Sequence, residues 1–397
     1  MHRSPAIAGA VRRLGAARAS WALKQLHDGD DPTAASARTL RWLLRPRTWL
    51  PTWRAEVAVA SVLHIVTALE PAARSRLVAD LSHAELRAWH RLLGSARPAV
   101  RDDTYVAVGA HVPLHVWRRF GRWTDDIDPD PSGDLRDLAR IPDPLPDQVA
   151  AQERHWATWT GPLATRGMTD AHEYAGNDVV QGHIGNCYLV AALQAIADTA
   201  PERLAGLCRA NDNGTWTIEL PNGRRTVVSP DIVVDVHGHA VFARRPPNGE
   251  RELWPLLLEK AYAQLHGGWR EIVSGHPYDA IELFTGVRAR VVRGADLDLT
   301  AIDEWHRSGA AIVAATIAVP PGRDAAQWVE EQAPPAFRRP GGELERLHPG
   351  HAFTVHHVER STREIVLHNP WSHDGAVVLD IDEARTCLDA MHVAEFD

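Results

Sequence analysis

The chain has 397 residues, 45% of them apolar and 24% charged, with a formal net charge of −8. Such a length suits two or three domains with a sizeable core, and the composition excludes disordered and fibrous classes. The acidic balance argues against nucleic acid as the main ligand, because backbone phosphates demand a basic surface.

At the N-terminus, Arg12 and Arg13 interrupt any signal-peptide core, so an Arg-rich amphipathic helix is expected there. No apolar run reaches the ~18 residues of a membrane span. The expected location is cytoplasmic, or reached by export without a cleaved signal peptide.

Residues 1–124 read as a helical N-terminal domain. Trp53 to Glu70 is apolar at helical spacing and Pro71 breaks it. Ser82 and Glu85 form a capping box, Leu86, Trp89 and Leu93 then share a face, and Gly94 is a stop. Trp117 and Trp123 read as core or partner-facing aromatics. The domain is a candidate inhibitory segment, partner-docking surface or export-recognition domain. Residues 125–160 are an Asp/Pro-rich linker. Their Asp run lacks EF-hand spacing, so a calcium loop is set aside.

Beyond the linker the texture is mixed. Strands are expected at Thr215–Leu220, Thr226–Ser229, Ile232–Val236 and Ala240–Ala243, with Asn222-Gly223 as a hairpin turn. A helix covers Leu253–Leu265. Further strands fall at Ala311–Ile317, Ala352–Glu359, Glu364–His368 and Ala376–Ile381.

The segment from Gln181 to Leu189 carries the chemistry. Two glycines permit a tight loop, and Cys187 then opens a helix whose Leu189, Ala192, Leu193, Ile196 and Ala197 face inward. A cysteine there feels the positive helix end, which favours its thiolate. The Cys187 amide and the Gln181 side chain are candidate oxyanion donors, a kind of group worth about 10²–10³ in rate. Most lone cysteines are simply small buried side chains. We read Cys208 and Cys387 that way. Three cysteines are also too few, and odd in number, for a disulfide framework.

A thiol nucleophile needs a base and an orienting group. His351 leads into a strand, the chain turns near Ser361-Thr362, and the return strand ends at His368-Asn369-Pro370-Trp371. Pairing across a two-residue turn has an index sum of about 723, which sets Asn369 opposite Thr354. A bulge or a longer loop would bring Asn369 against His351, and Trp371 would cover their bond. His348, His351, His356 and His357 also suggest a metal cluster. However, adjacent His356 and His357 should point to opposite strand faces, and no Cys or carboxylate completes a ligand set. His183 is nearer Cys187 in sequence but suits a rim position.

Residues 181–193, QGHIGNCYLVAAL, resemble the active-site cysteine motif of the calpain family of papain-type thiol proteases. The segments LWPLLLEKAYAQLHGG at 253–268, Ser274 through Val287, GHAFTV at 350–355 and Asn369-Pro370-Trp371 resemble further family segments, in the same order. The resemblance covers about residues 165–397. It implies an α+β fold: a papain-like, two-lobed calpain-type core preceded by the all-α N-terminal domain. The first lobe, residues 161–288, would be helical and carry Cys187 and the oxyanion glutamine Gln181. The second, residues 289–397, would be an antiparallel sheet carrying His351 and Asn369, with Trp371 in support. The implied activity is a cysteine endopeptidase acting on a protein or peptide substrate, with no cofactor needed for the chemistry. Calcium regulation is common in the family, but no ligand in this chain is assignable. No EF-hand or C2-like domain is expected. Asn186 stands where the family usually has Asp, Tyr188 where it has Trp, His368 where it has Arg and Ser372 where it has Gly.

Two other readings compete. One keeps the thiol but performs acyl transfer or amide hydrolysis on a non-peptide substrate. The other is a catalytically silent, peptide-binding module.

Overall fold

A computed structural model describes chiefly residues 69–94, 97–121, 174–182, 184–230, 253–320, 344–371 and 376–396. Short pieces are described at 40–41, 62–63, 65–67, 155–157, 232–234, 322–323 and 336–338. The expected first helix, most of Trp53–Glu70, Trp123, most of the linker, the strand at Ala240–Ala243 and His183 lie outside the described residues.

The front of the chain is helical where described. Helix α1 (Pro71–Ala79) begins at the proline expected only to break a helix. At a first helical position the missing amide costs nothing and the fixed φ favours the turn. Helix α2 (His83–Gly94) is capped as its sequence indicates: Ser82 N donates to Glu85 Oε2 at 2.8 Å and Glu85 N to Ser82 Oγ at 3.3 Å. Helices α3 (Pro98–Gly109) and α4 (Leu114–Gly121) complete the group. Leu86, Trp89, Leu93, Val108 and Trp117 share its apolar core.

Strand β1 (His155–Ala157) is described alone within the linker. Helix α5 (Cys187–Thr199) follows, with every residue from Tyr188 to Ala197 buried, and the short α6 (Pro201–Ala205) succeeds it. Strands β2 (Cys208–Ala210), β3 (Trp216–Glu219) and β4 (Arg225–Val228) form a three-stranded antiparallel sheet. Gly223 takes φ +80° in the β3–β4 turn, as an Asn-Gly pair allows. Strand β5 (Ile232–Val234) pairs with β1. Helix α7 (Trp254–His266) stops at Gly267, whose φ of +107° suits a C-terminal cap. Helix α8 (Pro277–Thr285) comes next.

The remainder is an antiparallel sheet in the order β6-β13-β7-β10-β11-β12-β8-β9. Its strands are β6 (Arg290–Arg293), β7 (Ala311–Thr316), β8 (Ala336–Arg338), β9 (Leu344–Arg346), β10 (Ala352–Glu359), β11 (Glu364–His368), β12 (Ala376–Asp380) and β13 (Leu388–Ala394). Helices α9 (Leu299–Arg307) and α10 (Ile381–Cys387) flank it. Helix α5 packs on this sheet. Its apolar residues share a core with Ala311, Val313, Ala352 and Ala394.

The helical front meets the β2–β4 sheet directly. Val227 of β4 belongs to the front's core. Asp102 of α3 pairs with Arg224 at 2.9 Å, and Asn213 Nδ2 donates to the Gly109 and Val112 carbonyls at 2.6 and 2.5 Å. A Cβ at Gly109 would lie 2.6 Å from Val227 Cγ1 and 3.0 Å from the Trp117 ring. Gly109→Val should therefore wedge α3 off β4, at about 1–3 kcal/mol. Urea denaturation should show a lower midpoint, and limited proteolysis should release the front earlier than in wild type.

Candidate active site

Cys187 is the first residue of α5 and is partly exposed. Cys208 and Cys387 are buried, and burial pushes each thiol up to about 12. Of the three, only Cys187 combines access with a helix N-terminus. Its loop is pinned on two sides. Ser274 N donates to Gly185 O at 2.9 Å, and Gln181 N donates to Pro370 O at 2.7 Å. Gln181 is buried, and its Nε2 donates to Ile184 O at 2.6 Å, which fixes the plane of the amide.

The second bond matters most, because Pro370 follows Asn369. His351 Nε2 lies 2.9 Å from Asn369 Oδ1, which also accepts the Trp371 amide at 3.0 Å. The amide bond from Trp371 identifies this atom as the oxygen, since an NH₂ would face another donor. Nε2 then carries the proton, and Nδ1 is the lone-pair nitrogen. The His351 backbone is clamped by Thr316, whose N donates to His351 O and whose Oγ1 accepts from His351 N, both at 2.8 Å.

Three rings enclose the imidazole. The centroid of Trp371 is 4.1 Å away at 40°, that of Phe353 4.8 Å at 85°, and that of His348 6.3 Å at 77°. This burial pushes the His351 pKa down to about 3, against the opposing effect of the Asn369 bond. The ring is neutral at ordinary pH.

Helix α5, which begins at Cys187, is hydrogen-bonded to β10, the strand that follows His351. Thr354 Oγ1 of β10 is 3.0 Å from both Ala191 O and Gln194 Oε1 of α5. Cys187 precedes Ala191 by about 6 Å of helix. His351 precedes Thr354 by about 10 Å of strand. The Gln181–Pro370 bond joins the loop before Cys187 to the segment that carries Asn369. A cleft of about 640 Å³ is lined in part by Tyr188, Tyr262, Ser274, Gly275, Asp279 and Glu282, and by none of Gln181, Cys187, His351 or Asn369. Gly275 is required there, since a Cβ would sit 2.5 Å from Tyr188 Cζ.

Two details differ from expectation. The index sum of 723 holds from Glu359↔Glu364 to His357↔Val366, but a bulge shifts it, so that Thr354 faces His368 rather than Asn369. The same bulge interrupts the side-chain alternation. His356 and His357 are therefore both exposed, His356 stacking on His368 at 3.9 Å and His357 meeting His306 at 5.9 Å. Among the described residues no group of three or more His, Cys, Asp or Glu is arranged to hold a metal ion. No calcium ligand is therefore assigned. The sequence reading also missed Glu259, buried in α7, which accepts from Asn186 Nδ2 at 2.7 Å. A charged pair, Glu259-Lys260, inside an otherwise apolar helix was the available signal.

Residues 148–376 match the calpain family cysteine protease domain. That is more than half of the chain, and the protein belongs to this family. It is similar to calpain-5 of Caenorhabditis elegans, at 33% identity over 123 residues, 28% of this chain and 18% of that protein. Calpain-14 of Homo sapiens is 31% identical over 122 residues, 28% of this chain and 17% of its own length. A calpain-type cysteine protease of Zea mays is 31% identical over 116 residues, 28% of this chain and 5% of its own. The matched stretch thus spans less than a fifth of each of these relatives.

The enclosed imidazole has a consequence for stability. Its unfolded-state pKa is near 6.5 and its folded value about 3, so between them the unfolded chain binds the extra proton. Stability should fall as pH drops from 6.5 toward 3 and be unaffected by this group above 6.5, at about 1.4 kcal/mol per pH unit. His392, pushed down by burial to about 4, adds the same sign. Urea titrations at pH 7 and pH 5 should show a smaller loss for His351→Gln than for wild type.

Proposed function

We propose that the protein is a cysteine endopeptidase of calpain type, with residues 161–288 and 289–397 as the two lobes of a papain-like core. The observation that carries this reading is the buried His351–Asn369 hydrogen bond, joined through Pro370 to the loop that leads into Cys187. Asn369 keeps the His351 proton on Nε2, so that Nδ1 takes the proton of the Cys187 thiol. The thiolate attacks the scissile carbonyl and the imidazolium returns the proton to the leaving amine. The Cys187 amide and Gln181 Nε2 receive the oxyanion. Trp371 and Phe353 keep water off the imidazole.

The substrate in this reading is a protein or peptide lying in extended form along the cleft beside Tyr188 and Gly275. The chemical step needs no cofactor. Calcium is a regulator of this reading, to be tested by chelation, and residues 1–124 are its second candidate regulatory element.

Cys187→Ala should abolish peptide hydrolysis, whereas Cys208→Ser and Cys387→Ser should retain it. His351→Ala should lose about 10²–10⁴ in kcat/KM, and Gln181→Ala about 10²–10³. Hydrolysis of a quenched fluorescent peptide library, with product mass analysis, measures each. Undiminished cleavage by Cys187→Ala would falsify the assignment.

A further inference from the structure

The ladder between β7 and β10 pairs Ala315 with Ala352. Its continuation sets Thr316 against His351, where Thr316 N donates to His351 O at 2.8 Å. In an antiparallel ladder the return bond of such a pair runs to the facing backbone carbonyl. His351 N turns instead to the Thr316 side chain and donates to Oγ1 at 2.8 Å. A threonine hydroxyl has one proton to give. Two acceptors are in reach, His348 O at 2.6 Å and His351 O at 3.1 Å, and the second already accepts the Thr316 amide. The proton therefore goes to His348 O. One buried hydroxyl thus ties both ends of the turn 348–351, and Gly350 N, between them, donates to Ile317 O at 3.0 Å.

This turn carries two imidazoles, and both lean on one indole. The Trp371 ring centroid lies 4.5 Å from that of His348 and 4.1 Å from that of His351. The Trp371 amide in turn donates to Asn369 Oδ1, the atom 2.9 Å from His351 Nε2. The contacts close a circuit in which the hydroxyl sets the turn, the turn sets two rings, and the indole between them is tied to the asparagine. From this arrangement we infer that Thr316 is a positioning residue for His351, acting through the turn and the His348 ring that it carries. The role rests on the thiol-peptidase reading above, in which His351 is the base.

The hydroxyl reaches only backbone atoms, so Thr316 acts on the imidazole at second hand. Ending the strand would require the bond from His351 N alone. The bond to His348 O serves the turn. Valine at 316 would fill nearly the same space but leave His348 O and His351 N without this partner, and buried groups left unpaired drive local rearrangement. The turn would then loosen and His348 would leave the indole. Serine keeps both bonds.

The test uses the full chain, with peptide kinetics, mass-mapped diethyl pyrocarbonate modification of His351, and thermal melting as the check on folding. Thr316→Val should lower kcat about 10- to 100-fold with KM little changed, the effect of a displaced base rather than of lost binding. His351, slower to react in wild type than the exposed His356 and His357, should be modified severalfold faster. Thr316→Ser should return both readings toward wild type. His348→Ala should also speed modification of His351, and His348→Phe, which keeps a ring against Trp371, should not. A folded Thr316→Val with wild-type kcat or wild-type His351 reactivity overturns the inference. So does a serine variant no better than valine. Should Thr316→Val not fold, unchanged His351 reactivity in His348→Ala overturns it by itself. Modification requires no peptide, so wild type that protects His351 but cleaves nothing sinks the peptidase reading and leaves the positioning role to be judged by reactivity.

Discussion

Everything at the candidate site depends on one helix–sheet contact, the seating of α5 on β7 and β10. The helix can lie close because it offers Ala191, Ala192 and Ala195 to a sheet that answers with Ala311 and Ala352. Apolar packing of small residues is non-directional and would tolerate sliding. The Thr354 hydroxyl does not tolerate it. Shared between Ala191 O and Gln194 Oε1 inside the core, it fixes the register, since a one-turn slip would bury it unpaired at about 1–3 kcal/mol. That register fixes how the helix that begins at Cys187 lies against the strand that follows His351.

The surroundings of His351 show how position and protonation are set by the same groups. Thr316 holds the backbone and Asn369 holds the ring, while Trp371 and Phe353 remove water from its faces. A polar group enclosed this way must be neutral or paired. A single neutral tautomer satisfies Asn369, so the ring is oriented and its lone pair placed by one bond. The cost appears as lost stability in acid. Cys187 is treated oppositely, left partly exposed at the first position of α5.

Much of this was legible in the chain. The Ser82/Glu85 capping box, the Asn222-Gly223 turn, the cysteine helix and the hairpin through Ser361 all act through local chemistry, and local chemistry is written in short spacings. The register of β10 on β11 followed the index rule as far as His357 and then failed, because nothing near His356 marks a bulge. Strand β13 pairs with β6 over a separation of about one hundred residues and with β7 over about eighty. Periodicity says nothing about such partners. The role of Glu259 was hidden for a related reason: its partner is 73 residues away. What the sequence did show was a Glu-Lys pair in a mostly apolar helix, and a carboxylate buried there is held by something.

The helical front is bound into this arrangement more firmly than an appendage would be. Val227 completes its core, and Asp102, buried on α3, answers Arg224 of the β3–β4 turn. Arg101 reaches the Leu265 carbonyl at the end of α7, the helix that carries Glu259. Removing the front would expose Val227 and strip the Leu265 carbonyl of a buried guanidinium, loosening the end of α7. The described contacts lie on the hairpin and the helix end, not on His351 or Asn369.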